Sequence, residues 1–269
     1  MTPAETITEV LRAVAEMAKP GVNILEIERR AETTMQILGA VSANKGYFPK
    51  WATSPFPSVI CLGVNDVIAH AIPKEYELMD GDLLHVDCGL IVDGMCGDAG
   101  MTLPVGTISN KDERLLRFAK ASLYEGIRMI RPGVKVTAIG EAIEDHARRN
   151  GYVVNKRFLG HGIGKEMHEH PSIPHYYIPP EQVRVGKHKW EQREITKVPT
   201  LEIGQVICLE PMLTYRDQSG YMSNDGWTFK TRDGRKSAFF EHMIRVTPDG
   251  HEVLTSHITN TDSVKGVIL

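Results

Sequence analysis

Apolar residues recur with the spacing of an amphipathic helix in four stretches of the chain, and each stretch ends at or beside proline, glycine or an Asn-Gly pair. The predicted helices cover residues 7–18, 25–38, 112–130 and 136–150. Short runs rich in β-branched and aromatic residues lie between and after these helices. The predicted strands cover residues 58–62, 83–92, 206–213 and 239–246. The pattern is that of a mixed α and β protein.

The two predicted helix pairs share one arrangement. A Pro-Gly corner precedes a helix that stops at Gly39, a second corner precedes one that stops at Gly151, and the Pro-to-Gly separation is the same in both. This internal repeat predicts two related halves, roughly 5–105 and 112–250, packed about a pseudo-twofold axis with a functional site at the interface between them. Chance recurrence of a common helix corner is the alternative.

Composition narrows the class of protein. Charged residues make up 24% and hydrophobic residues 42% of the 269, which is ordinary for a globular chain able to bury a sizeable core. The formal net charge of −3 provides no global positive field for nonspecific nucleic-acid binding. The start of the chain lacks a secretory signal pattern, and no apolar run approaches the length of a membrane span, so a cytoplasmic location is expected.

The four cysteines contain no CxxC pair and are expected to be reduced thiols, with a redox or metal role for Cys88 and Cys96 as the alternative.

Residues 83–98 read as a β-hairpin with Asp93-Gly94 at its turn. If Val92 pairs with Met95, Asp87 and Asp98 project from one face as diagonal neighbours, with α-carbons roughly 7 Å apart or less. Two carboxylates on an apolar sheet face repel each other unless a cation lies between them. A solvent-exposed turn aspartate is the alternative; it suits Asp93 well and Asp87 poorly, because apolar residues surround Asp87 in the sequence.

Two further groups of residues carry chemistry. Residues 158–171 contain three histidines, and one of them, His161, lies between glycines that allow close backbone approach. Glu210 and Glu241 lie inside apolar strand-like runs, where carboxylates seldom stay buried without a partner or a metal. With Asp87 and Asp98, the set is oxygen-rich and suits a pair of divalent first-row ions. On these residues alone, a dinuclear phosphoesterase and a peptidase are equally open.

Together these residues resemble the type I methionine aminopeptidases, members of the wider pita-bread metallopeptidase family. The resemblance runs from about residue 20 to residue 246. The features that carry it are the stretch 158–164 followed by His168, Ile173 and His175-Tyr176, Asp87 and Asp98 eleven positions apart, Glu210-Pro211, and Asp225-Gly226-Trp227 ahead of Glu241-His242. It implies an α+β fold over a single catalytic domain, 1–269, in which helices pack on a curved, mainly antiparallel sheet made by two pseudo-twofold-related halves.

The resemblance also implies a ligand set and roles. Two divalent metal ions, whose identity stays open among Co, Mn, Fe and Zn, would be bound with Asp98 and Glu241 bridging them. The implied ligands are Asp87, Asp98, His161, Glu210 and Glu241. Glu210 would take the proton of a metal-activated water that attacks the first peptide bond, His168 would stabilise the oxyanion, and His70 would hydrogen-bond the substrate amide.

A methionine pocket is implied as well, although composition alone would assign its residues to the core. The lining residues are Phe56, Cys61, Met167 and Trp227. Met167 departs from the family pattern, which has an aromatic residue there, but a thioether suits a thioether substrate. The segment 176–204 is longer than the family norm and receives no functional assignment beyond a solvated excursion.

The implied activity is removal of the initiator methionine from nascent polypeptides whose second residue is small. The ribosome is a further candidate partner; no membrane or specific nucleic-acid partner is expected, and the chain is expected to act as a monomer. A noncatalytic pita-bread binding protein would have lost ligands, and all five are present. A sibling peptidase that cuts before proline would carry a large extra N-terminal domain, for which this chain is expected to have no room.

Overall fold

Four helices form where the apolar spacing predicts them, within residues 1–179 and 198–256, which are the residues described by the computed structural model. They are α1 Pro3–Ala15, α2 Ile24–Ile37, α3 Asn110–Arg128 and α4 Val136–Arg149. None of these helices has the length and apolar character needed to cross a bilayer. With the strands given below, they confirm the predicted mixed α+β class.

The first helix begins earlier than predicted because its start is capped. The Thr2 hydroxyl accepts a hydrogen bond from the Glu5 amide (3.2 Å), and the Glu5 carboxylate accepts one from the Thr2 amide (2.8 Å). Pro3 occupies the first turn, where its missing amide hydrogen has no cost. The prediction began at residue 7 because it followed the apolar stripe and not the cap.

Fifteen strands occur in the same described residues, and all the strand pairs recorded there are antiparallel. The strands of the first half are β1 Val41–Ser42, β2 Cys61–Val64, β3 Val67–Ala69, β4 Leu83–Val92 and β5 Met95–Pro104. Those of the second half are β6 Val153–Val154, β7 Gly160–Gly162, β8 Glu169–Ile173, β9 Val206–Leu209, β10 Met212–Thr214, β11 Tyr221–Met222, β12 Phe229–Lys230, β13 Ala238–Phe239, β14 His242–Thr247 and β15 Gly250–Val253. The prediction of a strand over 58–62 was displaced, since pairing with β4 begins only at Cys61.

Two sheets hold most of the site. One contains β4 and β5, with β1 and β2 along the other edge of β4; the other has the order β15-β14-β9-β7-β8. A large apolar cluster joins the helices to these sheets, running from Ile7 in α1 through Leu84 in β4 to Leu116 in α3 and Ile244 in β14. The site therefore rests on a continuous core contributed by both halves of the chain.

The predicted strands 206–213 and 239–246 are each divided in two, and both divisions fall at a glutamate. Glu210-Pro211 separates β9 from β10, and Glu241 separates β13 from β14. Proline cannot donate to a ladder, which accounts for the first break. At the second, the Glu241 amide donates to the Gly100 carbonyl (2.9 Å), so the chain leaves one sheet to meet β5. Both glutamates thus lie where the chain passes between sheets.

The repeated helix corners have the same backbone conformation. Gly21 and Gly133, which follow the corner prolines, have φ of 85° and 78°, and Gly39 and Gly151, which end the following helices, have φ of 71° and 84°. These are left-handed values that favour glycine. The pseudo-twofold relation of the two halves stays a prediction. Of the segment 176–204, residues 180–197 lie outside the described residues.

Candidate active site

The floor of the site is the β4–β5 hairpin, whose register was predicted correctly. Val92 pairs with Met95 across the Asp93-Gly94 turn, and continuing the ladder sets Gly89 opposite Asp98 and Asp87 opposite Gly100. Because side chains alternate between the two faces of a strand, Asp87 and Asp98 project from the same face. The register thus brings two carboxylates together on a buried sheet.

His161 lies above these aspartates on β7. Its Nε2 atom is 3.6 Å from Asp98 Oδ2 and 3.7 Å from Glu210 Oε1. Its Nδ1 atom lies 3.0 Å from the Gly162 carbonyl oxygen, which can only accept, so Nδ1 carries a proton and Nε2 points toward the carboxylates. A fixed tautomer of this kind is what a metal-ligating imidazole needs.

Burial and mutual repulsion disfavour the charged forms of the carboxylates. Burial, followed by the charge of Asp98, raises the pKa of Asp87 to about 8. Burial and the neighbouring aspartates likewise raise the pKa of Glu210, and burial with all three other carboxylates raises that of Glu241. Glu241 is only 3% exposed, and its Oε1 atom has no hydrogen-bond partner. An unpartnered carboxylate oxygen facing three acidic groups fits a bound divalent cation.

Within the described residues, one set of possible ligand atoms includes a cysteine that sequence reasoning did not select. Atoms of Asp98, His161, Glu241 and Cys208 lie within 4.8 Å of one another. Burial and the surrounding carboxylates raise the pKa of the Cys208 thiol, and its Sγ atom lies 4.0 Å from the Asp98 carbonyl oxygen, to which a protonated thiol donates. Cys208 pairs with His161 across β9 and β7, so it lies beside that imidazole on the second sheet. The chemistry of the set remains that of oxygen and imidazole donors.

His70 and His168 line the cavity above this cluster. His70 has a φ of 53°, and burial, followed by the charge of Arg157, lowers its pKa to about 4, so the ring is neutral. The His168 ring lies 4.5 Å from that of His161, and its Nδ1 atom is 3.3 Å from the Tyr47 hydroxyl. The structure therefore places both predicted histidines beside the cluster.

A cavity of about 410 Å³ opens on the cluster and contains the predicted pocket residues. Phe56, Cys61 and Trp227 form one buried apolar group, with the two aromatic rings edge to face at 5.0 Å. Met167 also lines the cavity. Its methyl group occupies the space that a side chain on Gly89 would need, since a Cβ there would lie 2.5 Å from it. We call the apolar part of this cavity, lined by Phe56, Cys61, Met167 and Trp227, the slot; the carboxylates and His161 line the same cavity.

Sequence reasoning missed several residues of the site. His175 lies under Glu210, whose amide donates to His175 Nε2 (3.2 Å), and burial lowers the pKa of His175 to about 3 so that this acceptor stays neutral. Its place in the His175-Tyr176 pair that carries the family resemblance was the available signal. Asn44, Tyr47 and Trp51 line the cavity from an irregular stretch before β2, where no periodic pattern marks them.

Comparison with known proteins agrees with this geometry. The sequence profile of metallopeptidase family M24 matches residues 3–248. A methionine aminopeptidase of Aquifex aeolicus is 35% identical over 94% of this chain and 93% of the relative, and methionine aminopeptidase A of Synechocystis sp. is 40% identical over 91% and 89%. The crystal structure of a methionine aminopeptidase from Rickettsia prowazekii superposes with a TM-score of 0.83 at 32% identity, covering 94% of each chain, which confirms the predicted pita-bread fold. This chain belongs to metallopeptidase family M24.

Proposed function

We propose that this chain is a methionine aminopeptidase that removes the N-terminal methionine from nascent polypeptides whose second residue is small. One observation carries the proposal: the carboxylate and histidine cluster lies on the same cavity as the apolar slot formed by Phe56, Cys61, Met167 and Trp227. Relatives of that name, up to 40% identical over nearly the whole chain, support it. We place this activity in the cytoplasm and expect a monomer.

The slot suits a methionine side chain. Aromatic edges favour contact with a thioether sulfur, and Phe56 and Trp227 present such edges within one buried group. The Trp227 indole donates to the Ser54 carbonyl (3.1 Å), so the ring is held by a hydrogen bond and does not depend on packing alone. A rigid wall of this kind discriminates by shape, and a side chain branched near its α-carbon fills the slot poorly.

We propose that Asp87, Asp98, His161, Glu210 and Glu241 would hold two divalent ions. The unpartnered Oε1 atom of Glu241 and the raised pKa values of Asp87, Glu210 and Glu241 support a cationic occupant. When bound, such ions would polarise the first peptide carbonyl and lower the pKa of a water molecule. Carboxylates and imidazole accept Mn, Fe, Co and Zn alike, so the ligand set does not choose among them.

The protein side chains then have separate tasks. Glu210 faces the cavity, with its backbone fixed by His175, and takes the proton of the attacking water. His168 donates a hydrogen bond to the developing oxyanion. His70, neutral because of its lowered pKa, hydrogen-bonds the substrate amide next to the leaving nitrogen. A free α-amine would bind at the metal-holding end of the cavity, and an internal peptide bond offers no such amine there.

Substrate choice tests the function. Met-Gly-Ser, Met-Ala-Ser and Met-Ser-Ser peptides should be cleaved, while Met-Lys-Ser, Met-Phe-Ser and acetylated Met-Ala-Ser should resist, as measured by release of free methionine. Leu-Ala-Ser should be slower by about 10- to 200-fold, the range expected for a mismatched apolar side chain. A phosphate ester serves as the control for the rival hydrolase chemistry. Comparable turnover of Leu-Ala-Ser and Met-Ala-Ser would contradict the methionine assignment.

Metal dependence tests the cofactor. Chelation should abolish turnover, and a divalent first-row ion should restore it, with about two ions per chain by calorimetry. Glu241→Gln should weaken metal binding and turnover together, because Glu241 is one of the proposed ligands. The matched control is Glu252→Gln, at an exposed strand position paired with Arg245, and it should change neither quantity. Full turnover in metal-free protein would refute this assignment.

A further inference from the structure

A short loop, residues 47–56, carries an aromatic side chain to the mouth of the slot. Backbone hydrogen bonds close the loop at its base, from the Gly46 amide to the Phe56 carbonyl and from the Phe56 amide to the Tyr47 carbonyl, both 2.8 Å. A turn from Pro49 to Ala52 (3.0 Å) shapes its tip. The Trp227 indole donates to Ser54, which ties the far side of the loop to the pocket wall. The loop therefore has a defined shape.

Trp51, at the tip of this loop, lies on the cavity and not in the core. Its ring stacks on His70, with centroids 5.7 Å apart and planes 18° apart, and meets Trp227 edge to face at 4.9 Å. Nevertheless, 46% of the side chain is exposed. A large exposed ring built against two site residues contributes little to the core, and its exposed part is available to a ligand.

We propose that Trp51 is a specificity-determining residue that contacts the substrate residue after the N-terminal methionine. The inference rests on the proposed function, in which Trp227 lines the methionine slot and His70 hydrogen-bonds the amide to be cleaved. Since Trp51 contacts both, the chain leaving that amide passes the exposed part of its ring. Tyr47 faces His168, so two aromatic side chains of one loop lie against His70 and His168. Trp51 narrows the space for the second side chain and favours small residues there.

Selectivity for the second residue tests this role. In Trp51→Ala, the ratio of kcat/KM for Met-Ala-Ser to that for Met-Leu-Ser should fall about tenfold or more, within the range of apolar size discrimination. Trp51→Phe keeps an aromatic ring and should retain most of the ratio. The matched control is Phe48→Ala, in the same loop, because Phe48 is 58% exposed and is not among the cavity residues. This control should leave the ratio unchanged.

The outcomes separate this role from a structural one. An equal loss of kcat/KM on both substrates in Trp51→Ala would mean that the ring only supports His70, and would overturn the proposal. An unchanged ratio in a folded variant, checked by circular dichroism, would overturn it too. If Trp51→Ala does not fold, Trp51→Leu is judged by the same ratio. Wild-type protein that cleaves no methionyl peptide would refute the proposed function, and this inference with it, whereas wild-type cleavage with an unchanged ratio refutes Trp51 alone.

Discussion

At the scale of single residues, burial acts in opposite directions on the carboxyl and imidazole groups of the site. It raises the pKa of Asp87 to about 8 and lowers those of His70 and His175 to about 4 and 3. In both cases the uncharged form is favoured. Neutral histidines remain able to donate or accept hydrogen bonds at physiological pH, while the carboxylates need a cation to ionise together.

His70→Ala and His168→Ala should each lower turnover by about a hundredfold, the scale of losing one oxyanion or amide hydrogen bond. Metal content measured on the same preparations should stay near that of the wild type, because neither histidine is assigned to the ions. The control is His251→Ala, which removes an exposed histidine bonded to the Ile130 carbonyl. Loss of bound metal in the His168 variant would show that this histidine is a ligand.

At the scale of elements, the site is assembled from positions where strands end or turn. Glu210 and Glu241 lie at breaks between two sheets, and Asp87 and Asp98 are aligned by the Asp93-Gly94 turn. A slip of one residue in this hairpin would move Asp98 to the opposite face. The turn is therefore the local feature on which the alignment of the two aspartates depends.

Gly94→Ala should destabilise the protein by about 1–2 kcal/mol, the cost of a left-handed residue with a side chain. Gly94 has a φ of 76°, and a Cβ there would meet nothing within 4 Å, so conformation is the whole cost. Denaturant unfolding measures the change. The control is Met95→Leu at the next, exposed position, expected within about 0.5 kcal/mol of wild type. If Gly94→Ala has the same free energy of unfolding as the wild type, the turn relaxes to accept the side chain, and the predicted cost is wrong.

At the scale of the whole molecule, opposite pKa shifts make the stability of the metal-free protein depend on pH. Histidines with a lowered pKa, such as His70 and His175, bind fewer protons in the folded state, so the stability that they contribute is lost as pH drops below about 6.5. Asp87, Glu210 and Glu241, with raised pKa, bind more protons when folded. The stability that these protonated carboxyl groups contribute is therefore lost as pH rises toward 8.

The unfolding temperature of the metal-free protein should therefore decrease as the pH is raised from 6.5 to about 7.5. Divalent ions bind the ionised carboxylates and release their protons, so the increase in unfolding temperature on adding Mn²⁺ should be larger at the higher pH. Scanning calorimetry with and without chelator measures both. The Glu241→Gln variant should show a smaller metal-induced increase. A metal-free unfolding temperature that does not change across this range would contradict the assigned repulsion among the carboxylates.

Local patterns in the sequence were enough to predict several features. The apolar spacing located four helices, although the Thr2 cap moved the first one to Pro3. The Asp93-Gly94 turn fixed the register of the hairpin and hence the shared face of Asp87 and Asp98. These features depend on residues close together in the chain, whose conformations and pairings follow local rules.

The tertiary structure alone decided how distant segments meet. It placed His161 3.6 Å from Asp98, brought Cys208 into the cluster, and set His175 under Glu210. It also carried Trp51 from an irregular loop onto His70. The sequence by itself determined the four helices, the β4–β5 hairpin and the chemistry that their residues carry, because periodicity and turns are local. The contacts that make a site needed the packed fold, because no local pattern encodes which distant side chains will share a cavity.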